Sequence, residues 1–435
     1  MSQYSLSRRR LMQLGGMGAV SLAAGALPTM TFGQGPTNVR FAFWGPDARV
    51  RIMQDVAADY AAKNPDTTVA LEFGTIDNHR TKLTVGLASG DLPDVMWITY
   101  EQLPQLIAGG HLADVSKYYG NLIDDSQFTA AVTSIGKVDG AQFVLTHALQ
   151  SVGLFANTRI LEEVGIPVKK YPEAYTWAEF AENAKKIHET KGPDFWGTDD
   201  PSYVNSFNHY RAFVRQHGEE LWTADGDIGW SRETLLEWLN YWQDMRASGA
   251  ALPVALHLEQ APAFDGSPMI RGLTAYHNRN SNQLLELQRL SKDKLTLMPV
   301  PGNGGDGAVN VGLDPNTMAV AAKSPNLEAA MRFTDYMMNN PDRAKIMGTT
   351  IGAPSIAGLR AEIAPGLTDP EKEFLEHIDF EASVESKPIP LTPPTGAAFN
   401  TDMGKAIESM AYGLASVEET ADLILGDLRT KLVSA

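Results

Sequence analysis

The chain predicts an α/β fold in two domains, on three observations. Strand-like and helix-like segments alternate with short joins, one strand is apolar on both faces, and 435 residues exceed what one hydrophobic core serves. Val39 to Trp44 is a short apolar run stopped by Gly45 and Pro46, which suits a buried strand. Val50, Met53, Val56, Ala57 and Tyr60 recur at spacings of three or four until Asn64 and Pro65, the pattern of a helix and its end. Val69 to Phe73 is the next strand, and strand, helix, strand with short joins is a parallel βαβ unit. A helical stretch from Leu83 gives way at Gly90 and Pro93 to Val95–Ile98, apolar throughout as a central parallel strand must be. Thr176 with Glu179, and Ser416 with Glu419, form capping boxes that start helices. Trp230, Leu235, Leu236, Trp238, Leu239, Trp242 and Met245 make an apolar stripe of the kind that packs into a core.

The N-terminal segment predicts where the protein works. Ser7, Arg8, Arg9, Arg10, Leu11 and Met12 precede a Gly- and Ala-rich apolar stretch from Leu14 to Leu27, too short for a dependable membrane span. Residues 1–33 read as a removable export signal, and the paired arginines resemble a twin-arginine (Tat) signal. An ordinary Sec signal is the alternative, and both place the mature chain outside the cytoplasmic membrane, with the periplasm expected because no cysteine is there to carry a lipid. Thr31 and Gly33 offer a cleavage point before Gln34, as do Ala24 and Ala26 further back. The chain has no cysteine, which excludes disulfides, thiolate metal sites, catalytic thiols and a lipid-bearing cysteine, so no membrane anchor is expected. Formal charge is −16, and the leader carries three arginines and no acid, so the mature chain is more acidic still. Such a field opposes nucleic acid and anionic lipid. With no repeat and no low-complexity tract, a soluble binding protein or enzyme remains.

From residue 88 a family resemblance begins. Ala88, Ser89, Gly90, Asp91, Pro93 and Asp94 lead into a strand with Trp97. Gly109, Gly110, His111, Leu112, Ala113 and Asp114 follow the next helix. Gly140 to Thr146 with Gly153, Leu154, Phe155, Ala156 and Asn157, then Ile166 and Pro167 with Thr176, Trp177, Ala178, Glu179 and Phe180, continue in register. Phe264, Gly266 and Gly272 to Tyr276, then Met298, Pro299, Pro301, Gly312, Met318 to Ala322, Asn326 to Ala330 and Ile351 to Ser355 complete the series. In that order and spacing these resemble the extracellular solute-binding proteins, family 1, of ABC importers, which include the maltose-binding type. Ala156, Thr146 and the lack of a Trp after Asn278 depart from the family pattern and leave the ligand class open.

The resemblance implies a periplasmic-binding-protein type II fold, two α/β lobes with a ligand cleft between them and hinge crossovers. It places residues 36–147 plus 271–323 in the first lobe and 148–270 plus 324–435 in the second. It implies a carbohydrate ligand, ABC permease subunits as partners, a monomer, no cofactor, no metal and no covalent chemistry. Strand ends in open α/β sheets face the ligand, which selects Trp44, Asp77 and the Tyr100, Glu101, Gln102 group. A sugar needs an aromatic face and planar polar groups, and Tyr100 beside Glu101 and Gln102 offers both. Glu101 as a plain helix start is the alternative. By the resemblance, His147 and Gln150 enter the second lobe, Tyr203 matches a stacking position, and Phe399 and Asn400 match a ligand-contacting helix start. Asn278 and Arg279 end a strand that returns to the first lobe. Gly312 and Asp314 turn backbone toward the cleft. Arg279 keeps an anionic ligand open, a sugar acid, sulfonated sugar or glycerol phosphate.

Other signals carry less. Gly302, Gly304 and Gly307 fit GxGxxG without the strand and helix that pattern requires. Asp225, Gly226 and Asp227 lack the later ligands of a calcium loop, and His209 with His217 lacks a zinc pattern. A glycosidase using Glu101 and Asp200 is the alternative from another class, and a sensor partner of a membrane receptor is a third.

Overall fold

The computed structural model describes residues 36–99, 102–133, 135–203, 206–258, 264–304, 312–384 and 389–434. The leader, Tyr100 and Glu101 therefore lie outside the described residues. The strands are β1 (Thr37–Trp44), β2 (Thr67–Gly74), β3 (Val95–Ile98), β4 (Lys137–Val138), β5 (Ala141–Gln142), β6 (Leu145–Gln150), β7 (Val152–Asn157), β8 (Trp196–Thr198), β9 (Thr274–Asn280), β10 (Leu295–Met298), β11 (Asp314–Val320) and β12 (Ala353–Pro354). The longer helices are α1 (Asp47–Lys63), α2 (Ile76–Ser89), α3 (Trp177–Lys191), α4 (Ser206–Gln216), α5 (Arg232–Ala247), α6 (Leu327–Asn339), α7 (Asp369–Ser383) and α8 (Gly396–Ala411). The opening strand, helix, strand series falls where hydrophobic spacing put it.

A six-stranded sheet runs β12-β6-β11-β3-β1-β2 and a four-stranded sheet runs β10-β7-β9-β8, with β4 and β5 as a separate hairpin. β1 pairs in parallel with β2 and β3, and β11 pairs antiparallel with both β3 and β6. It follows that β1, β2, β3 and β6 all run one way and end at one edge, at Trp44, Gly74, Ile98 and Gln150. β7 starts at the crossover with Val152, opposite Asn280 at the end of β9. β8 is parallel to β9, so its end also points to the crossover. The carboxyl ends of the parallel strands in both sheets thus face one another, which is where an α/β ligand site forms.

The expected lobe boundaries need correction. β9 and β10, within the 271–323 stretch assigned to the first lobe, pair with β7 in the second sheet. Conversely, Ala330, Met331, Phe333 and Met337 of α6 share a core with Val39, Phe41 and Phe43 of β1, so the chain after 324 stays with the first lobe until α7. Among the described residues of 271–323, only β11 belongs to the first sheet. α7 packs on β12 of the first sheet and on β10 of the second, and α8 joins the second core through Phe399, Met403 and Ile407. The chain therefore crosses between lobes three times: at Gln150–Val152, between Met298 and Asp314, and between α7 and α8.

Local signals behave as their chemistry requires. Both expected capping boxes form, at Thr176 with Glu179 and Ser416 with Glu419. The stripe on α5 is core, with Trp238 and Trp242 fully buried. Asp225, Gly226 and Asp227 form a turn closed by the Thr223 amide donating to the Asp227 carbonyl. No helix among the described residues is long and apolar enough to cross a membrane.

Candidate functional site

The first-sheet edge is built of rings. Trp44 packs edge-on to Trp97 at 5.5 Å and tilts over His79 at 5.1 Å. His147, on β6 with β11 between it and β3, stacks on Trp97 at 5.0 Å with 18° between planes. Burial pushes the His147 imidazole down to about 3, so it is neutral, and both ring nitrogens lack a hydrogen-bond partner among the described residues. Arg49, in the first turn of α1, donates from Nη1 to the Trp44 carbonyl at 3.0 Å and lies 5.8 Å over the Trp97 ring. Its burial pushes the guanidinium down to about 10. Asp77 sits exposed in the first turn of α2. Gln102 accepts from the Thr99 hydroxyl at 3.2 Å.

The crossover itself brings three expected residues together. Gln150 ends β6 directly opposite Asp314, which opens β11. Asp314 Oδ1 accepts from Arg211 Nη2 at 2.6 Å, and Oδ2 is buried without a partner among the described residues. Gly312 has φ +77, a left-handed conformation that favours glycine, and lies close to the Arg215 guanidinium of α4 at the second crossover. Arg211 and Arg215 are one helical turn apart, which places both on this seam.

The second-sheet edge is built of charges. Asp199, just past β8, lies 2.8 Å from His277 Nδ1, although the N–H does not point squarely at the oxygen. Its Oδ1 accepts from the Asn278 amide and from Asn278 Nδ2, each at 2.8 Å. Burial alone would raise the Asp199 carboxyl. His277, His257 and Arg279 outweigh it and hold the group well below the carboxylate range. Arg279 Nε donates to His277 Nε2 at 2.9 Å. A guanidinium can only donate, so Nε2 is the acceptor and the single ring proton is on Nδ1, toward Asp199. Burial, working against the Asp199 charge, keeps this imidazole neutral. His209 on α4 is buried with neither nitrogen bonded, and burial lowers it to about 4 despite Asp199 nearby.

Several expected contacts have other employment. Asn278 is spent on Asp199 and on the Thr198 hydroxyl. Tyr203 is 7% exposed, its hydroxyl 3.2 Å from His257 Nδ1, so its ring does not offer an open stacking face. Phe399 is packed against Phe207 and Trp222 in the second core, with Asn400 half-buried beside it. Tyr276 is fully buried against Tyr175 and Phe180. Arg279 ends a strand of the second lobe rather than the first, two residues from the crossover. Asp200 pairs with Arg246. Arg49, Arg211 and His277 were not anticipated, and no local pattern marks them. No group of three metal-ligating side chains occurs among the described residues.

Residues 47–344 match the family described as bacterial extracellular solute-binding protein. A lactose-binding protein from Rhizobium radiobacter is 28% identical over 192 residues, 42% of this chain and 43% of that protein, so the match spans less than half of that relative. Two solved structures share the fold at 18% identity. A periplasmic solute binding protein from Pectobacterium atrosepticum has TM-score 0.80 over 91% of this chain and 98% of its own. A periplasmic oligogalacturonide binding protein from Yersinia enterocolitica, in complex with saturated digalacturonic acid, has TM-score 0.77 over the same shares. With more than half its length matched, the chain belongs to the bacterial extracellular solute-binding protein family.

Proposed function

We propose that this protein is the carbohydrate-capturing component of an ABC importer: exported to the periplasm by its Tat-like leader, it closes on a sugar, polyol or sugar derivative and presents it to permease subunits. The observation that carries the reading is the pair of facing sheet edges, one aromatic and one charged, with His147, His209 and Asp314 Oδ2 holding unspent hydrogen-bonding capacity between them. Buried polar atoms without partners are costly, and a hydroxyl-rich ligand supplies both donors and acceptors. Trp44, half-buried against the fully packed Trp97, adds ring surface for the apolar face of a sugar. The lactose-binding relative and the oligogalacturonide binder support a saccharide as the solute class. Mechanistically, one lobe binds first and contacts from the other stabilise the closed state, so ligand shifts a hinge equilibrium. No bond is made or broken.

A thermal-shift screen tests this. Ligand bound only by the folded state raises the midpoint by mass action. Saccharides should raise it where amino acids and short peptides do not. A shift with peptides alone, or turnover of a glycan by the purified chain, would remove the reading.

A further inference from the structure

Resting on the carbohydrate reading, we infer that Arg279 is the anchor for an anionic oxygen group on the ligand, a carboxylate, sulfonate or phosphate ester carried by a sugar. Of its five N–H donors only the one on Nε is spent, on His277. Nη1 and Nη2 have no partner among the described residues, and the side chain is half-buried rather than solvated. The neighbouring cations are committed: Arg211 to Asp314, Arg215 to Glu220 and Arg246 to Asp200. The nearest carboxylate cannot serve Arg279 directly, because Asn278 fills Asp199 Oδ1 and His277 faces Oδ2. Asp199 attracts Arg279 through space, and the imidazole of His277 stands between them, accepting from Arg279 Nε.

This chain of contacts does two things. It orients the guanidinium before any ligand arrives, so little side-chain freedom is lost on binding. It also leaves the planar Nη pair free, a fork that matches two oxygens of one anion. A neutral hydroxyl uses such a fork poorly, since it satisfies one donor and offers its own proton to a group that cannot accept. The position adds leverage. Arg279 lies opposite Gly153, directly after the crossover, so an anion held there sits on the second-lobe side of the cleft floor while its ring is free to lie on the Trp44 side.

The test is titration calorimetry on the full chain with matched pairs: galacturonate against galactose, digalacturonate against a neutral disaccharide, and glucose 6-phosphate and a 6-sulfonated glucose against glucose. One anionic member should bind about tenfold to a hundredfold tighter than its neutral counterpart, and the pair that responds names the oxyanion. Arg279→Gln should erase that preference, so that each acid binds no tighter than its neutral counterpart. Arg279→Lys, which keeps charge but loses the fork, should retain part of it, and His277→Gln should weaken it by loosening the guanidinium. A neutral sugar bound as tightly as its acid overturns the inference while sparing carbohydrate capture, as does Arg279→Gln with the preference intact. If the variants fold poorly by circular dichroism, the wild-type ratio decides alone. No binding by any member to a folded chain overturns carbohydrate capture and this inference together.

Discussion

His147 and His277 are both buried to within 1% of full coverage, one at each cleft edge, and they differ in what surrounds their nitrogens. His147 is held by the face of Trp97 and keeps both nitrogens free. His277 accepts from Arg279 on Nε2 and has Nδ1 in 2.8 Å contact with Asp199, off the line of a hydrogen bond. The first-lobe edge is fixed by ring packing, which leaves polar atoms available; the second is fixed largely by polar contacts, which consume most of them and leave Arg279 and His209 over among the described residues. Burial alone does not separate a ligand-ready side chain from a scaffold; the partner count does.

Several changes would break or sharpen that contrast. Asp199→Ala strands the His277 and Asn278 donors in the second edge and should cost about 3–5 kcal/mol. Trp97→Ala opens a cavity in the first and should also cost about 3–5 kcal/mol. Denaturant titrations would check both, and the Asp199 loss should shrink below about pH 4, where the carboxyl of the unfolded chain is protonated. A loss below about 1 kcal/mol for Asp199→Ala would mean that its contacts do not fix that edge.

The pH response comes next in size. His147 and His377 are lowered by burial to about 3, and His209 to about 4, against an unfolded value near 6.5. Between those values the unfolded chain binds protons that the folded chain refuses, so stability falls as pH drops from about 6.5 toward 4, by about 1.4 kcal/mol per pH unit for each such histidine. Asp199, held low in the folded state, adds a loss only below about pH 4. His147→Phe keeps the stack and should reduce the acid slope by one proton; an unchanged slope would place the titration elsewhere. At the seam between the edges, Asp314→Asn weakens the hold on Arg211 and should cost about 1–3 kcal/mol, read from the same denaturant curves. Thr176→Ala, far from the cleft, should cost about 1 kcal/mol through its helix cap and leave ligand affinity unchanged in calorimetry.

The first five elements were legible because each announces itself locally: apolar runs of strand length, a period of 3.6 on α1, and Gly90 and Pro93 as breaks. The lobe to which β9 belongs was not. Its residues Thr274–His277 are buried, and a strand buried in either sheet has the same composition; pairing with β7 decides, and pairing is a tertiary fact. Trp44, Gln150, Asp314 and Arg279 could be picked out as strand ends and turn residues. Arg211 could not, because it lies between core residues Tyr210 and Phe213 on α4 and meets a partner 103 positions later. Tyr203 and Phe399 show the converse limit: an aromatic at a family position reads alike whether its ring faces ligand or core.

The helix α7 carries a mechanical consequence. His377 on it bonds the hydroxyl of Ser151, the residue between β6 and β7, while Glu373 holds Lys170 and Thr296, and Glu381 takes the Tyr171 hydroxyl at 2.6 Å. The first crossover is thus splinted from behind, and two further passages of chain run between the lobes. A body joined by one strand can swivel and slide; one joined by three, with a rod across the joint, keeps little besides a single rocking motion. Fewer wrong relative poses are then available to the open state, and a ligand bridging the gap has less disorder to remove.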